Sequence, residues 1–453
     1  MNVFECPFSL HGRQCGSSIA LQSDDQSWTY SECHVIIERI ATTLKNSGVK
    51  PGDRIALYPT KSFPTPLIFF AIFRVGAIAC PLNTYFPMSS LPERLDALSS
   101  TFLLIPDGEK IPLVKQITLP FSKLMETPAK TSKIFLEKAS HATYLFTSGT
   151  TSKPKIACHS LGNHYYSALG SNACMPLQTS SHYLLSLPLY HVAGIAILFR
   201  TFLSGATLLL SDTLSHPKAS HLSLIPTQLS RLLETLDEKS PRHILLGGAS
   251  ISPLLYQKGL QKGLTIYPTY GMTEMSSQIA TYFEKNAFSL GHPLPYRELK
   301  IARDGEIFVR GKTLFQGYFD TTKGLHLPLD QDGWFPTRDT GLYSPKQGLK
   351  ILGRKDRLFI SGGENIQPEE IEKVLSSIEG ITQVKVLPQA DAEFGFRPVA
   401  YITSENGFNE KKLKTFLSSM LPPFKVPVAF YASHSHIHKP HLNPPVHYKP
   451  LPL

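Results

Sequence analysis

A chain of 453 residues exceeds what one hydrophobic core ordinarily organises, so about three domains or subdomains are expected. Its 42% hydrophobic and 18% charged content suits a soluble globular protein rather than a disordered or fibrous one. The net charge of +10 is diffuse, with no run of five basic residues, so nucleic-acid binding has no patch to rest on, whereas a mildly positive surface suits polyanionic ligands.

The opening Met-Asn-Val-Phe-Glu-Cys-Pro lacks a basic segment followed by an apolar one, and no signal peptide is expected. The six cysteines (Cys6, Cys15, Cys33, Cys80, Cys158, Cys174) are scattered without a CxxC pair, which fits free thiols in a reducing, cytoplasmic setting. Ile37, Ile40, Ala41 and Leu44 form an amphipathic helix stripe closed by Gly48 and Pro51. Asp53 to Tyr58 reads as a strand. The most apolar segment, Pro66 to Leu82, is broken by Arg74 and Gly76, so it reads as a buried helix and a core strand, with no stable membrane insertion. Helices and short apolar strands alternate to about residue 280, the pattern of layered α/β structure.

The segment Ala142-Thr-Tyr-Leu-Phe-Thr-Ser-Gly-Thr-Thr-Ser-Lys-Pro-Lys155 is a β-forming run that feeds a loop of small and hydroxylated residues. Thr147, Ser148, Gly149, Thr150 and Thr151 offer backbone and hydroxyl donors, and Lys153 and Lys155 add charge, so the loop reads as a phosphate cradle. It is not the Walker A pattern. His191 follows Tyr190 and precedes Gly194; alone it reads as a core histidine, but this setting argues for a pocket. Arg200 stands in the apolar, helix-like stretch Ile197 to Leu203 and needs a partner there. From about Leu299 to Leu352 shorter strands and crowded turns suggest a small β subdomain.

A boundary falls at Gly353, dividing the chain into 1–352 and 353–453. Pro368 opens a helix with Glu369 and Glu370 in its first turn, a buried stripe of Ile371, Val374, Leu375 and Ile378, and Gly380 at its end. Val384 to Leu387 and Val399 to Ile402 read as strands, giving a small α+β domain. His434, His436 and His438 alternate on one face, with His441 and His447 beyond, but no Cys or acid accompanies them, so a solvated tail is expected rather than a zinc site.

The phosphate-loop segment resembles the signature loop of the adenylate-forming, acyl-CoA ligase superfamily. Five further segments resemble its motifs in the same order: Leu184 to Gly194, Leu245 to Ser250, Tyr267 to Glu274, Asp332 to Gly341 and Gly353 to Asp356 with Ser361 to Asn365. Gly48 to Asp53 and Phe394 to Ala400 extend the likeness over nearly the whole chain. The resemblance implies a large N-terminal domain of layered α/β subdomains plus a small β subdomain, then a small mobile α+β C-terminal domain. It implies ATP, Mg²⁺ and the co-substrate CoA, and a small carboxylic acid joined first to AMP and then to the CoA thiol.

By the same resemblance, Thr147 to Thr151, Lys153 and Lys155 hold phosphates. Gly248 and Ala249 lie under the adenine, with Tyr270 and Gly271 beside the nucleotide. Thr273 touches phosphate, and Glu274 holds Mg²⁺ as a hard oxygen donor. Asp339 accepts from the ribose hydroxyls, Arg354 lies near them and Asp356 is a hinge pivot. His191 and Gly194 line the acyl pocket. Within the superfamily, Ser186 to Gly194, Leu224 to Leu233 and Phe359 to Glu370 resemble most closely the ligases of o-succinylbenzoate, used in menaquinone biosynthesis. Two partners for Arg200 follow: a core Asp or Glu, or the second carboxylate of such a substrate. One departure stands out: anchored on Val446, Lys449 and Leu451, the family's C-terminal lysine falls at Pro445, with Lys439 and Lys449 nearby. This leaves a half-active or non-catalytic adenylate binder, or another acyl-CoA ligase, as the competing expectations. Oligomeric state is left open.

Overall fold

The computed structural model describes residues 2–147, 155–236, 242–282, 289–362, 364–391, 393–404 and 407–432. These fall into two compact units, Met1–Thr337 with Leu342–Lys350, and Arg338–Gly341 with Ile351–Leu453.

Two large sheets organise the first unit. One has eight strands, in the order Gly324–His326, Gly317–Asp320, Ile156–Ser160, His141–Phe146, Ile78–Pro81, Arg54–Leu57, Phe102–Ile105 and Ile117–Pro120. The other has nine, with Thr265–Met272, His243–Leu246, His221–Leu224, His182–Leu184 and Thr207–Leu210 parallel in its centre. Parallel strands buried on both faces read as near-continuous apolar runs, as in Thr207-Leu-Leu-Leu210 and His243-Ile-Leu-Leu246.

Helices cover these sheets for local reasons. Tyr30–Asn46 starts at a capping box, in which Thr29 accepts from the Glu32 amide and the Glu32 carboxylate accepts from the Thr29 amide. Its stripe Ile37, Ile40, Ala41 and Leu44 is buried, as the spacing requires. Pro66 to Leu82 resolves into the helix Thr65–Arg74 and the strand Ile78–Pro81. That helix is buried almost all round, and among the described residues no helix is long and apolar enough to cross a membrane. Phe70 anchors the packing: its ring centroid lies 5.0 Å from Phe8, 5.8 Å from Phe73, 5.6 Å from Phe199 and 5.5 Å from Phe202. The helices Pro7–Gln14, Thr65–Arg74 and Val192–Leu203 therefore share one aromatic cluster.

The structure alters one expectation about the first unit. The small β subdomain expected over 299–352 is there as a four-stranded sheet of Arg297–Ile301, Glu306–Gly311, Phe335–Ser344 and Gly348–Arg354, but it does not hold every strand of the segment. Arg297–Ile301 pairs with Glu306–Gly311, but the hairpin Gly317–Asp320/Gly324–His326 leaves that segment and extends the eight-stranded sheet. Tyr318 and Phe319 pair with Ala157 and Ile156, and Phe319 packs on Tyr144 at 4.9 Å. Burial of aromatic surface against the larger sheet outweighs chain proximity here.

In the second unit, Ile381–Asp391, Gly395–Ser404 and Ala429–Ala432 form a sheet covered by the helices Pro368–Leu375 and Glu410–Met420. Ile371, Leu375, Val386, Ala400, Ile402, Leu413 and Leu417 make its core, with Val374 and Ile378 partly buried against it. The first helix ends at Leu375, before Gly380, where the backbone bonds tighten to i−3 spacing: the Ser377 amide donates to the Val374 carbonyl at 3.2 Å and the Ile378 amide to the Leu375 carbonyl at 3.1 Å. The two strands run longer than their apolar cores, carrying Pro388 and Pro398 in register. Arg357 ties helix to sheet through Glu369 at 2.6 Å and Glu372 at 2.7 Å, and Glu372 also accepts from the Val386 amide at 2.8 Å.

Truncating the shared aromatic anchor tests this packing. Phe70→Ala is expected to cost about 3–5 kcal/mol, because the surrounding helices cannot close the void. Urea unfolding should show an earlier transition for the first unit with the smaller unit's transition unmoved. A loss under about 1 kcal/mol would contradict a rigid cluster.

Candidate active site

Strands His141–Phe146 and Ile156–Ser160 pair antiparallel, so the phosphate-cradle segment is the connection of a hairpin. Its base is closed by the Thr147 amide donating to the Lys155 carbonyl at 2.8 Å. Ser148, Gly149, Thr150, Thr151 and Lys153 lie outside the described residues. Lys155 is exposed, and its ammonium sits 4.8 Å from the centroid of the Tyr318 ring.

Tyr318 also reaches the Thr273–Met275 turn. Its hydroxyl donates to Glu274 Oε1 at 2.6 Å, a charge-assisted bond. Glu274 is therefore not a solvated surface carboxylate; the residue is buried. Its backbone carbonyl accepts from the Phe315 amide at 2.8 Å. The preceding carbonyl, of Thr273, accepts from His159 Nε2 at 2.7 Å. A carbonyl can only accept, so Nε2 carries the proton and Nδ1 is left to accept from Thr143 Oγ1 at 3.4 Å. Thr143 in turn faces His164 Nε2 at 2.8 Å. After the turn, Ser276 and Ser277 take φ of 54° and 108°. The Ser276 carbonyl accepts from Ser167 at 2.6 Å, and its hydroxyl donates to the Thr313 carbonyl at 2.9 Å.

Arg200 lies in the last turn of Val192–Leu203 with 1% of its surface exposed. Nη1 donates to Ser223 Oγ at 3.3 Å and Nη2 to Ser277 Oγ at 3.0 Å; Nε is buried without a partner. No Asp or Glu among the described residues pairs with it, unlike the core ion pair expected as one of its two alternatives. Burial, the largest influence, draws its pKa below the ordinary guanidinium value, against an opposing contribution from Tyr183. A cation held by neutral hydroxyls in a low-dielectric site retains an unmet demand for an anion.

Where Val192–Leu203 begins, His191 is the exposed residue before the first turn, its ring 4.7 Å from Tyr190. Gly194 is buried, and a Cβ there would collide with the Pro188 carbonyl, so its place in the motif reflects close backbone packing. Gly248 (φ 78°) and Ala249 form an exposed turn after His243–Leu246. Tyr270 is half-buried and Gly271 exposed at a bulge in the hairpin Thr265–Met272/Ser277–Thr281, where a Cβ on Gly271 would strike the Ser277 carbonyl.

In the second unit, Arg354 is shared by two carboxylates. It lies 3.3 Å from Asp339 Oδ1 through Nη1, and 3.0 Å and 3.2 Å from the two Asp356 oxygens through Nε and Nη2. The segment is pinned by the Lys355 amide on the Arg338 carbonyl at 2.7 Å and by Thr340 Oγ1 on the Gly353 carbonyl at 3.2 Å. Ser361-to-Asn365 is a ribbon of Phe359–Ser361 paired with Glu364–Ile366, with Gly363 outside the described residues. Pro445, Lys439, Lys449 and the C-terminal histidines are outside them as well. Among the described residues no group of three His, Cys, Asp or Glu could hold a metal by itself.

Two of these groups escape a reading of the sequence. Tyr318 sits in Phe-Gln-Gly-Tyr-Phe, where a Gly-Tyr pair in an aromatic run is the available signal. His159 has none, because its role rests on a partner 114 positions away.

A family of AMP-binding enzymes matches residues 8–319, and the chain belongs to it. The chain is 34% identical, over 92% of its length and 92% of the relative's, to the 2-succinylbenzoate–CoA ligase of Escherichia coli K12. It superposes on the o-succinylbenzoate CoA synthetase of Bacillus subtilis in complex with its acyl-adenylate intermediate, with TM-score 0.86 and 29% identity over 96% of this chain and 95% of that one. The same Bacillus enzyme with ATP and magnesium ion gives TM-score 0.85 and 29% identity over 95% and 96%.

The buried histidines predict an acid-labile unit. Burial is the first cause that pushes His159 and His221 down from 6.5 to about 4, and it takes His164 well below 6.5. Folded, they are neutral; unfolded, they titrate near 6.5. Below that pH the unfolded chain binds more protons, so stability is complete above pH 6.5 and is lost as pH falls toward 4. One such histidine accounts for on the order of 3 kcal/mol across the window, at ~1.4 kcal/mol per unit. The urea midpoint should fall between pH 7 and 5, and His159→Asn should flatten that slope; an unchanged slope would contradict the neutral assignment.

Proposed function

We propose that this ligase joins o-succinylbenzoate to CoA with cleavage of ATP to AMP and pyrophosphate, in the making of menaquinone. One observation carries the choice of acid: Arg200, fully buried, holds no protein carboxylate among the described residues. A substrate with a second carboxylate supplies the missing anion. The whole-length likeness to ligases does not favour a non-catalytic binder.

In the first step the acid's carboxylate oxygen bonds to the α-phosphorus of ATP, and the bond to pyrophosphate breaks. In the second the CoA sulfur bonds to the acyl carbon, the thiol proton is lost and AMP leaves. The protein's part is positioning and charge neutralisation. Thr147 and Lys155, with the loop between them, take the phosphates, and Thr273 adds a contact. Glu274 suits Mg²⁺: it is an oxygen donor, and one of its two oxygens is already oriented by Tyr318. The ion, when bound, neutralises phosphate charge. Gly248 and Ala249, exposed beside backbone, suit the flat face of adenine, next to Tyr270 and Gly271. Asp339 takes the ribose hydroxyls, with Arg354 holding its carboxylate in place. His191 and Gly194 flank the acyl pocket. The smaller unit turns about Asp356 between the two steps to admit CoA. The reaction belongs in the cytoplasm, where its three substrates are small soluble molecules.

Release of AMP and pyrophosphate with o-succinylbenzoate, measured with and without CoA, tests the reading; turnover of octanoate at equal or higher rate would overturn it. Arg200→Leu should weaken use of the dicarboxylate by about 2–5 kcal/mol while ATP affinity stays within about two-fold, the size of effect for losing one partner of a buried charge pair. A large drop in melting temperature with unchanged substrate affinity would make Arg200 structural.

A further inference from the structure

Among the described residues, Tyr318 touches both the phosphate-side lysine and the acidic turn. Its placement is built from the sequence upward. Gly317 takes φ 131°, and a Cβ there would press on the His326 carbonyl, so only glycine brings the strand Gly317–Asp320 this close to Gly324–His326. In the register with Ile156–Ser160, Tyr318 stands opposite Ala157, two residues from Lys155. Alanine opposite leaves room for the ring to lie beneath the lysine. Phe315 meets the Tyr318 ring at 4.8 Å, edge to face, and donates its amide to the carbonyl of Glu274. One short segment, 315–318, thus holds the backbone and the carboxylate of the same glutamate.

We propose that Tyr318 is the positioning residue that makes Glu274 a metal ligand and couples it to Lys155. The proposal rests on Glu274 being the Mg²⁺ carboxylate. A glutamate side chain has three rotors, and an unheld carboxylate must lose that freedom when it ligates. The Tyr318 hydroxyl fixes it beforehand and occupies Oε1, so Oε2 is the oxygen presented. The hydroxyl is also the stronger kind of donor, charge-assisted at 2.6 Å. The ring does separate work: its face attracts the Lys155 ammonium. Hydroxyl and ring can therefore be removed separately.

The test is nucleotide binding, read by fluorescence of an N-methylanthraniloyl ATP at increasing free Mg²⁺, on the full-length protein. Tyr318→Phe should raise the Mg²⁺ concentration for half effect by roughly 10–100-fold, the usual consequence of deleting a group that orients a metal ligand. AMP affinity and melting temperature should stay at wild-type values, since neither needs the ion. Tyr318→Leu should show the same Mg²⁺ shift and, at saturating Mg²⁺, a further roughly two- to five-fold loss of ATP affinity as Lys155 loses its ring. Glu274→Gln serves as the reference and should abolish the Mg²⁺ response. A wild-type Mg²⁺ response in Tyr318→Phe, with the response lost in Glu274→Gln, would overturn the proposal and leave the metal assignment standing. A response retained in Glu274→Gln would overturn the metal assignment and the proposal with it. Loss of AMP affinity or of melting temperature in Tyr318→Phe would make the residue part of the scaffold and also overturn it.

Discussion

The Thr273–Glu274 turn is gripped from three directions, and the rest of the site depends on that grip. His159 holds the Thr273 carbonyl, the Phe315 amide holds the Glu274 carbonyl and Tyr318 holds the carboxylate. His159 belongs to the eight-stranded sheet, as does Tyr318, while the turn runs into Ser277–Thr281 of the nine-stranded one. The grip therefore links the two sheets at the point where the phosphate-side hairpin ends. Ser276 and Ser277 accept left-handed backbone angles there, at a cost of order 1–3 kcal/mol each. Hydrogen bonds from Ser167 to the Ser276 carbonyl and from Ser276 to Thr313 offset that strain.

The same strained pair connects to a second constraint, buried positive charge. Arg200 donates to Ser277, and Arg297, itself buried, donates to Ser167 at 3.1 Å. Arg297 is pushed down to about 9, first by burial and then by Arg200, and it remains protonated at neutral pH. Among the described residues, both guanidiniums are partnered by hydroxyls and carbonyls rather than carboxylates. Such an arrangement is costly unless an anion joins it, and on the proposed reading the acid's second carboxylate is that anion. On that reading stability and specificity are opposed at Arg200: a core ion pair would satisfy the guanidinium and leave nothing there to select the acid.

Much of this is legible in the sequence because it is local. The helix carrying Ile37, Ile40, Ala41 and Leu44 and the buried helix and strand within Pro66–Leu82 each follow from spacing and composition. The motif strings from Thr147 to Asp356 can be read because each is a contiguous run. What spacing does not encode is partnership across sheets. Nothing near Arg200 in sequence says that Ser223 and Ser277 receive it, and nothing near His159 names Thr273. Chain proximity assigns the hairpin of Gly317–Asp320 to its neighbours in sequence, although its aromatic residues find more surface to bury on a distant sheet. The motifs name Arg354, Asp339 and Asp356 separately, and only the fold shows Arg354 bridging the two carboxylates with one guanidinium fork.

The central claim is that a buried Arg200, with no carboxylate partner among the described residues, selects a dicarboxylic acid. The most direct measurement compares kcat/KM for o-succinylbenzoate with that for 4-oxo-4-phenylbutanoate, the same skeleton without the ring carboxylate, at saturating ATP, Mg²⁺ and CoA. Loss of one partner from a buried charge pair of about 2–5 kcal/mol corresponds to a preference for the dicarboxylate of roughly 30-fold or more. Equal values for the two acids would contradict the account, since the second carboxylate would then have no partner in the site.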